Sequence, residues 1–220
     1  MAARDRQRLH VCDRFQPRYS FRPPGTREVA AFLAEQAVAG AFSYVERGAT
    51  RDDGSPPAGY NLDHNRVPLG HGENAFTAAC AALRAWRMFP GPWTRIEPLA
   101  APIREGQTVV MLAHAMGGWW LNACRIVYVI DESRCVGAVA RRFGFAYGTL
   151  AAHVEQGEER FSVELRADGS VWYDLRAFSL PRFWLVRLAK PLARRLQWRF
   201  VRESQAAMLA AVGREKDGLR

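Results

Sequence analysis

Four side chains able to do acid–base or metal chemistry lie within one short segment, which contains His153, Glu155, Glu158 and Glu159. If this segment is extended, His153 and Glu155 point to the same side, and the carboxylate could orient the imidazole as a base. Tyr147, just upstream, completes a candidate catalytic set with these two residues. The alternatives are a structural hydrogen-bonded network in a loop and a divalent metal site. Because no second histidine lies nearby, we expect no metal at this segment. We also expect no cofactor.

The strand predicted just before this segment alternates large and small side chains. Its large residues share one face, and Gly144, Ala146 and Gly148 share the other. The small face permits another backbone or a ligand to approach closely, so it is either packed tightly against a helix or forms a pocket wall. The residues that we predict to contact a ligand are Phe143, Phe145, Tyr147, Thr149, Glu158, Glu159, Trp119 and Trp120.

Hydrophobic periodicity indicates the elements that position these residues. The predicted strands cover residues 60–69, 107–115, 120–131, 141–150, 160–166 and 171–179, and the predicted helices cover about 26–39, 75–89 and 181–212. Asn74 is the expected cap of the second helix. Pro191 should kink the third helix, because a proline inside a helix removes a hydrogen bond.

The hairpin around Asp168-Gly169 has two possible registers. A two-residue loop would pair Leu165 with Trp172, whereas a three-residue loop pairs Leu165 with Val171. Only the three-residue loop continues as an apolar row on one face, from Phe161 and Val163 to Tyr173 and Leu175. It also places Gly169 where a left-handed backbone is needed. We therefore predict the loop 167–169.

The order of elements predicts an α+β protein with a single curved antiparallel sheet packed on a long C-terminal helix. We expect an N-terminal extension with a short helix at 1–41, one domain at 42–212 and a polar tail at 213–220. A cavity tends to remain between such a sheet and its helix. The leading hypothesis is binding of a small apolar or amphipathic molecule there. The second is a cofactor-free cyclase, isomerase or hydrolase that uses the candidate catalytic set.

The net charge of +9 is unevenly distributed, and residues 176–202 contain eight basic residues and no acidic one. Such a block can bind anionic surfaces, so a peripheral interaction with an anionic membrane or with nucleic acid is the third hypothesis. Of these two partners the membrane is favoured. A solvated arginine-rich helix face would show the same composition. The candidate anion-binding residues are Arg194, Arg195, Arg199 and Arg202.

Several classes of protein are disfavoured by the sequence. The chain has no Walker loop, no GxGxxG, no GxSxG and no HExxH motif. The uncharged stretch 106–124 contains histidine, asparagine and a Gly-Gly pair, so it predicts a hairpin rather than a membrane span. The cysteines at positions 12, 80, 124 and 135 form no CxxC pair. With no export signal visible, we expect reduced thiols and a cytoplasmic protein.

Two motifs resemble a known family: GFAYGTL at 144–150 and HVEQGEERF at 153–161. Together with Ser43-Tyr44 and the run Gly48-Ala-Thr50, they resemble the domain of unknown function 1990 (UPF0548) over about residues 42–205. The chain departs from the family pattern near the histidine, where alanines and a valine replace prolines and a glycine, and at Leu180. The resemblance implies no established activity. The family is similar in element order to START-like, helix-grip proteins, which favours ligand binding by fold analogy alone.

Overall fold

A computed structural model describes residues 17–52, 57–133, 138–184 and 188–217. Its helices are α1 (Thr26–Ala39), α2 (Gly72–Arg84) and α3 (Lys190–Asp217). Its strands are β1 (Arg18–Ser20), β2 (Asn61–His71), β3 (Thr94–Glu97), β4 (Thr108–Ala115), β5 (Gly118–Glu132), β6 (Val139–Thr149), β7 (Glu155–Arg166) and β8 (Ser170–Pro181). Cys12 and Cys135 lie outside the described residues, whereas Cys80 and Cys124 are free and buried.

All strands belong to one antiparallel sheet with the order β2-β8-β7-β6-β5-β4-β3, and β1 pairs with β5 beside this path. The inner face of the curved sheet carries Phe145, Phe161 and Tyr173, which share a core with Met208 and Val212 of α3. The predicted α+β class, with a curved antiparallel sheet packed on a long C-terminal helix, is therefore confirmed. Within the described part of the chain, no helix has both the length and the hydropathy needed to cross a bilayer.

The outer face of the sheet is covered near β4 and β5 by α1. Val29 and Phe32 of this helix are buried together with Val110, Leu112 and Leu121. The expected division of the chain at residues 41 and 42 separates α1 from the sheet in sequence, but its side chains share a core with the sheet.

The hairpin between β7 and β8 has the predicted register. Leu165 pairs with Val171, Val163 with Tyr173 and Phe161 with Leu175, and all six residues are buried. The loop consists of residues 167–169, and Gly169 has φ +82°. The three-residue loop is therefore confirmed.

Three predictions of helix boundaries are wrong. α2 begins at Gly72 with His71 as its N-cap, so Asn74 lies within the first turn and does not cap the helix. Pro181 is the last residue of β8 rather than the start of the final helix. α3 begins at Lys190, so Pro191 occupies the first turn, where the missing N–H has no helical partner to lose, and it does not kink the helix.

Strand boundaries also differ from the prediction in ways that affect the site. β7 starts at Glu155 rather than at residue 160, so the glutamates after His153 lie on a strand. The short strands β1 and β3 were not predicted, because three or four residues give too little alternation to detect.

The loop assignment predicts the effect of a single substitution. A Cβ added at Gly169 would lie 2.4 Å from a carbon of the His71 ring, and the backbone is left-handed there. Gly169→Ala should therefore lower the free energy of unfolding by about 1–2 kcal/mol, measured by urea denaturation. Gly213→Ala is the matched control, since Gly213 lies in α3 with no atom near the added Cβ. That change should raise stability by about 0.5–1 kcal/mol. A neutral Gly169→Ala variant would contradict the left-handed loop.

Candidate functional site

A cavity of about 210 Å³ lies between the inner face of the sheet and the N-terminal half of α3. Its apolar walls include Met111, Trp120, Leu175, Leu192, Leu196 and Phe200. The first three come from strands β4, β5 and β8, and the last three from α3. An apolar cavity of about 150 Å³ is enough to bind benzene. The space is therefore large enough for a small organic molecule.

One end of this cavity is polar. The polar side chains there come from β2, β6, the turn after β6, β7 and α3, and they are Asp63, Tyr147, His153, Glu155, Glu159 and Gln197. Among the described residues, no group of three or more histidines, cysteines, aspartates and glutamates has an arrangement suited to a metal ion.

Glu159 and Tyr147 form the central pair of the polar end. They are directly opposite each other across β6 and β7, and the Tyr147 hydroxyl donates to Glu159 Oε2 at 2.7 Å. Burial raises the pKa of Glu159 to about 7, although the hydrogen bond from Tyr147 acts in the opposite direction. Burial also raises the pKa of Tyr147, which keeps this hydroxyl protonated. No other described residue donates a hydrogen bond to Glu159, so its Oε1 is free to accept one from a molecule in the cavity.

Glu155 is held by α3 rather than by the histidine. Gln197 Nε2 donates to both of its carboxylate oxygens, at 2.8 and 3.1 Å. Close by, Arg194 forms a bidentate ion pair with Asp63, with both N–O distances 2.7 Å. Burial raises the pKa of Glu155, and the hydrogen bond from Gln197 and the charge of Arg194 partly offset this effect. These contacts fasten the N-terminal half of α3 to β7 and β2.

His153 does not form the expected side-chain pair with Glu155. Residues 151–154 form a turn instead of an extended segment, and His153 Nδ1 accepts a hydrogen bond from the backbone N–H of Glu155 at 2.9 Å. Burial lowers the pKa of His153 to about 3, so the ring is neutral and Nε2 carries the proton. In this arrangement His153 is a hydrogen-bond donor at the cavity wall and not a base.

Glu158 borders the cavity as predicted, but its carboxylate is directed to the opposite, outer face, where it binds a loop. Its carboxylate accepts hydrogen bonds from the Tyr44 hydroxyl at 2.7 Å, from the Gly48 N–H at 2.8 Å and from the N–H and hydroxyl of Thr50. Two residues further along β7, Arg160 donates to the carbonyl oxygens of Thr50 and Arg51 at 2.9 and 3.0 Å. The loop 44–51 is therefore held from two sides. The Glu158 carboxylate binds its backbone N–H groups, and the Arg160 guanidinium binds its backbone carbonyls.

The face of small residues on β6 lies beneath this same loop. A Cβ added at Gly148 would lie 2.0 Å from the Tyr44 hydroxyl oxygen, and Ala146 packs with Tyr128 and Ile130. Another part of the chain does approach this face closely, as expected. It is the loop that contains Tyr44, and not a helix or a bound molecule in the cavity.

The remaining predicted ligand contacts fall into two groups. Thr149 and Trp120 lie on the cavity wall, together with Tyr147 and Glu159. Phe143 and Phe145 are instead part of the core, where the Phe145 ring lies 4.9 Å from that of Trp86. Trp119 is directed away from the cavity and stacks on His114 with 5.0 Å between ring centroids.

Sequence reasoning did not identify Asp63, Asn122 or Gln197 as site residues, although all three line the cavity. Asp63 and Gln197 are far apart in sequence from β7, and no local pattern connects them to it. The one available signal was Gln197 itself, an uncharged polar residue that immediately follows an apolar residue, Leu196, in the predicted helix.

The adjacent residues Glu158 and Glu159 should respond differently to the same substitution. Glu158→Gln places an amide NH₂ where several donors converge, so it should lower the free energy of unfolding by about 1–3 kcal/mol. Glu159→Gln removes a carboxyl that binds its proton more tightly in the folded protein than in the unfolded chain. Wild-type protein should therefore lose stability as the pH rises from 4.5 to about 7, and the variant should lack this loss.

Chemical denaturation of both variants at pH 5 and pH 8 measures these effects. Above pH 7 the Glu159→Gln protein should be more stable than wild type, by an amount on the order of 1–3 kcal/mol. Equal destabilisation by the two substitutions at both pH values would mean that the two carboxylates share one structural role.

Comparison with known proteins assigns the family. The model of a domain of unknown function, DUF1990, matches residues 43–207. A UPF0548 protein of Dictyostelium discoideum is 33% identical over 210 residues, which cover 89% of this chain and 96% of that protein. A UPF0548 protein of Deinococcus radiodurans is 38% identical over 208 residues, which cover 89% and 99%.

Solved structures give weaker likenesses. A hypothetical protein of Helicobacter pylori has a TM-score of 0.44 and 13% identity, covering 78% of this chain and 94% of its own. A norcoclaurine synthase of Thalictrum has a TM-score of 0.42 and 12% identity, covering 71% and 96%. The family model and the two relatives show that this chain belongs to the DUF1990 (UPF0548) family.

Proposed function

We propose that this protein binds a small amphipathic molecule in the cavity between the sheet and α3. The observation that carries the proposal is that this mostly apolar cavity also contains a cluster of polar side chains around Glu159. The apolar body of a ligand would pack against Leu196 and Phe200 of α3. Its polar group would lie at Glu159 and Tyr147. This combination of apolar lining and a few convergent polar groups is typical of small-molecule sites.

The free oxygen of Glu159 supports this orientation. A polar group in an apolar cavity costs free energy unless it is hydrogen-bonded. Glu159 Oε1 accepts no hydrogen bond from the described residues, and a ligand hydroxyl or amine would supply one. His153 Nε2–H offers a donor at the same end, so a ligand with both a donor and an acceptor matches the cavity.

A second candidate function, acid–base catalysis on the bound molecule, is favoured by the same carboxylate. A group whose pKa is about 7 can both accept and return a proton at neutral pH. The set predicted from sequence was Tyr147, His153 and Glu155. The geometry retains Tyr147 but supports Glu159 as the proton acceptor in place of the other two. The reaction would belong to the cofactor-free classes expected from the sequence.

Filling the cavity tests the binding function. Ala193 lies on α3 and lines the cavity, so Ala193→Leu should occupy part of the space. We expect wild-type protein to bind the neutral fluorescent probe N-phenyl-1-naphthylamine saturably, and the variant to bind it about tenfold more weakly or worse, a loss of about 1.4 kcal/mol. A neutral probe is chosen because an anionic one would also bind exposed arginines.

The control for this test is Ala206→Leu, the same change at an exposed position of the same helix. It should bind the probe like wild type. Saturable binding that Ala193→Leu leaves unchanged, or no saturable binding by wild-type protein, would contradict the proposed site.

Isotope exchange tests the second candidate. A molecule that co-purifies with wild-type protein is identified by native mass spectrometry and then incubated with the protein in D₂O near neutral pD. If Glu159 moves a proton on carbon, wild-type protein should incorporate deuterium into the molecule and Glu159→Gln should not. Glu155→Gln should retain exchange, because its carboxylate is bound by Gln197. If exchange is lost in Glu155→Gln but kept in Glu159→Gln, Glu159 is not the proton acceptor, and the result favours the set predicted from sequence, which contains Glu155.

A further inference from the structure

The exposed side of α3 and the segment before it combine large apolar side chains with arginines. The exposed fractions are 60% for Trp184, 75% for Leu188, 43% for Leu192 and 56% for Trp198. Three exposed arginines accompany them: Arg195, Arg199 and Arg202. We call this surface, defined by these seven residues, the Trp-Arg face. Exposed apolar side chains clustered in this way mark interaction sites.

The spacing along α3 places the members of this surface that belong to α3 on one side of the helix. Leu192, Arg195, Arg199 and Arg202 follow one another at intervals of three and four residues, which share a side. Phe200 and Ser204 lie on the opposite side, where Ser204 is buried and bonded to Tyr173. Apart from the contact of Arg199 with Trp93, the Trp-Arg face is therefore the side of α3 that the described residues leave exposed.

The sequence up to Arg202 is strongly basic, and one acidic residue, Glu203, lies beside Arg199 on the same side of α3. Residues 176–202 carry eight basic residues and no acidic one. Arg199 is paired with Glu203 at 2.6 Å and lies 4.6 Å from the centre of the Trp93 ring. Arg195 makes no hydrogen bond or ion pair with another described residue. Arg194, in contrast, is directed to Asp63 and does not belong to the Trp-Arg face.

We propose that the Trp-Arg face docks on an anionic membrane surface. Tryptophan and leucine side chains partition into the boundary between lipid headgroups and acyl chains, while arginines pair with the phosphates and keep their charge at the headgroup level. Anionic lipid matches the positive charge of the region. The phosphates of a nucleic acid could also pair with the arginines, but a nucleic acid has no apolar layer into which the exposed leucines could insert. The combination of both kinds of side chain therefore favours a bilayer.

Docking through this face has a consequence for the cavity. Leu192 is part of the Trp-Arg face and also lines the cavity, and its exposure marks a place where the cavity reaches the surface. Docking would therefore bring the cavity opening to the bilayer. This last step rests on the proposed binding function, whereas docking itself does not.

Co-sedimentation with lipid vesicles tests the proposal on the full-length protein. The vesicles contain either phosphatidylcholine alone or equal parts of phosphatidylcholine and phosphatidylglycerol. Wild-type protein should bind the anionic vesicles and not the neutral ones. Binding should weaken as sodium chloride rises from about 0.05 to 0.5 M, because salt screens the arginines. Equal binding to both vesicles, or to neither, would overturn the proposal.

Two double variants test the electrostatic contribution of the Trp-Arg face. Arg195→Gln with Arg202→Gln should weaken binding about thirtyfold, since each basic residue near an anionic surface contributes about fivefold. Arg87→Gln with Arg104→Gln changes the net charge equally at exposed arginines outside the Trp-Arg face, and it should bind like wild type. Equal losses in the two variants would mean that net charge alone drives binding, which overturns the assignment to this face.

Trp184→Ser with Trp198→Ser tests the apolar contribution. This variant should bind the anionic vesicles more weakly than wild-type protein at the same low salt concentration, and unchanged binding would overturn the proposed insertion. Binding of a single-stranded RNA, measured in the same buffers, tests nucleic acid as the alternative partner. Tight RNA binding without vesicle binding would overturn the membrane proposal in favour of a nucleic acid. All three surface variants should still bind N-phenyl-1-naphthylamine. A variant that loses vesicle binding but still binds the probe is defective in docking alone. A variant that loses probe binding but still binds vesicles is defective in the cavity alone.

Discussion

The pairing of β6 with β7 determines both functional faces of the sheet. Tyr147 stands opposite Glu159 on the inner face, and Gly148 stands opposite Glu158 on the outer face. Because strand side chains alternate, a shift of one residue would exchange these two positions. The cavity would then receive Glu158 in place of Glu159, and the loop 44–51 would lose its anchor.

The outer-face contacts also explain why buried charges are tolerated there. Arg160 is buried beside Asp174, with an N–O distance of 2.9 Å, and it donates to two loop carbonyls as well. A buried ion pair compensates its desolvation only when further hydrogen bonds satisfy both partners. Glu158 is satisfied in the same way by four donors. Such a network stabilises one loop conformation, since any other leaves charged groups unpaired. The cavity is lined from the other face, where Glu159 keeps one oxygen without a protein donor.

Much of the fold could be predicted from local patterns. The hairpin register followed from alternation together with one glycine, Gly169, and the sheet-on-helix class followed from the order of elements. The partners in the site could not be predicted, because they come from distant parts of the chain. Glu155 meets Gln197 of α3, and Arg194 meets Asp63 of β2. The neutral, donor-only state of His153 depends on a turn and on complete burial, and neither is encoded in the spacing of charged residues.

The two adjacent glutamates also have an evolutionary consequence. In the sequence they form a single Glu-Glu motif, yet Glu158 serves the architecture and Glu159 faces the cavity contents. Selection on the two positions is therefore separable. A relative that adapts to a different ligand would change the second residue and keep the first, together with its tyrosine and threonine partners on the loop. Divergence within this family would then be concentrated in alternate positions of β7. The outer positions would stay similar among relatives, and the inner positions would differ between relatives that bind different ligands.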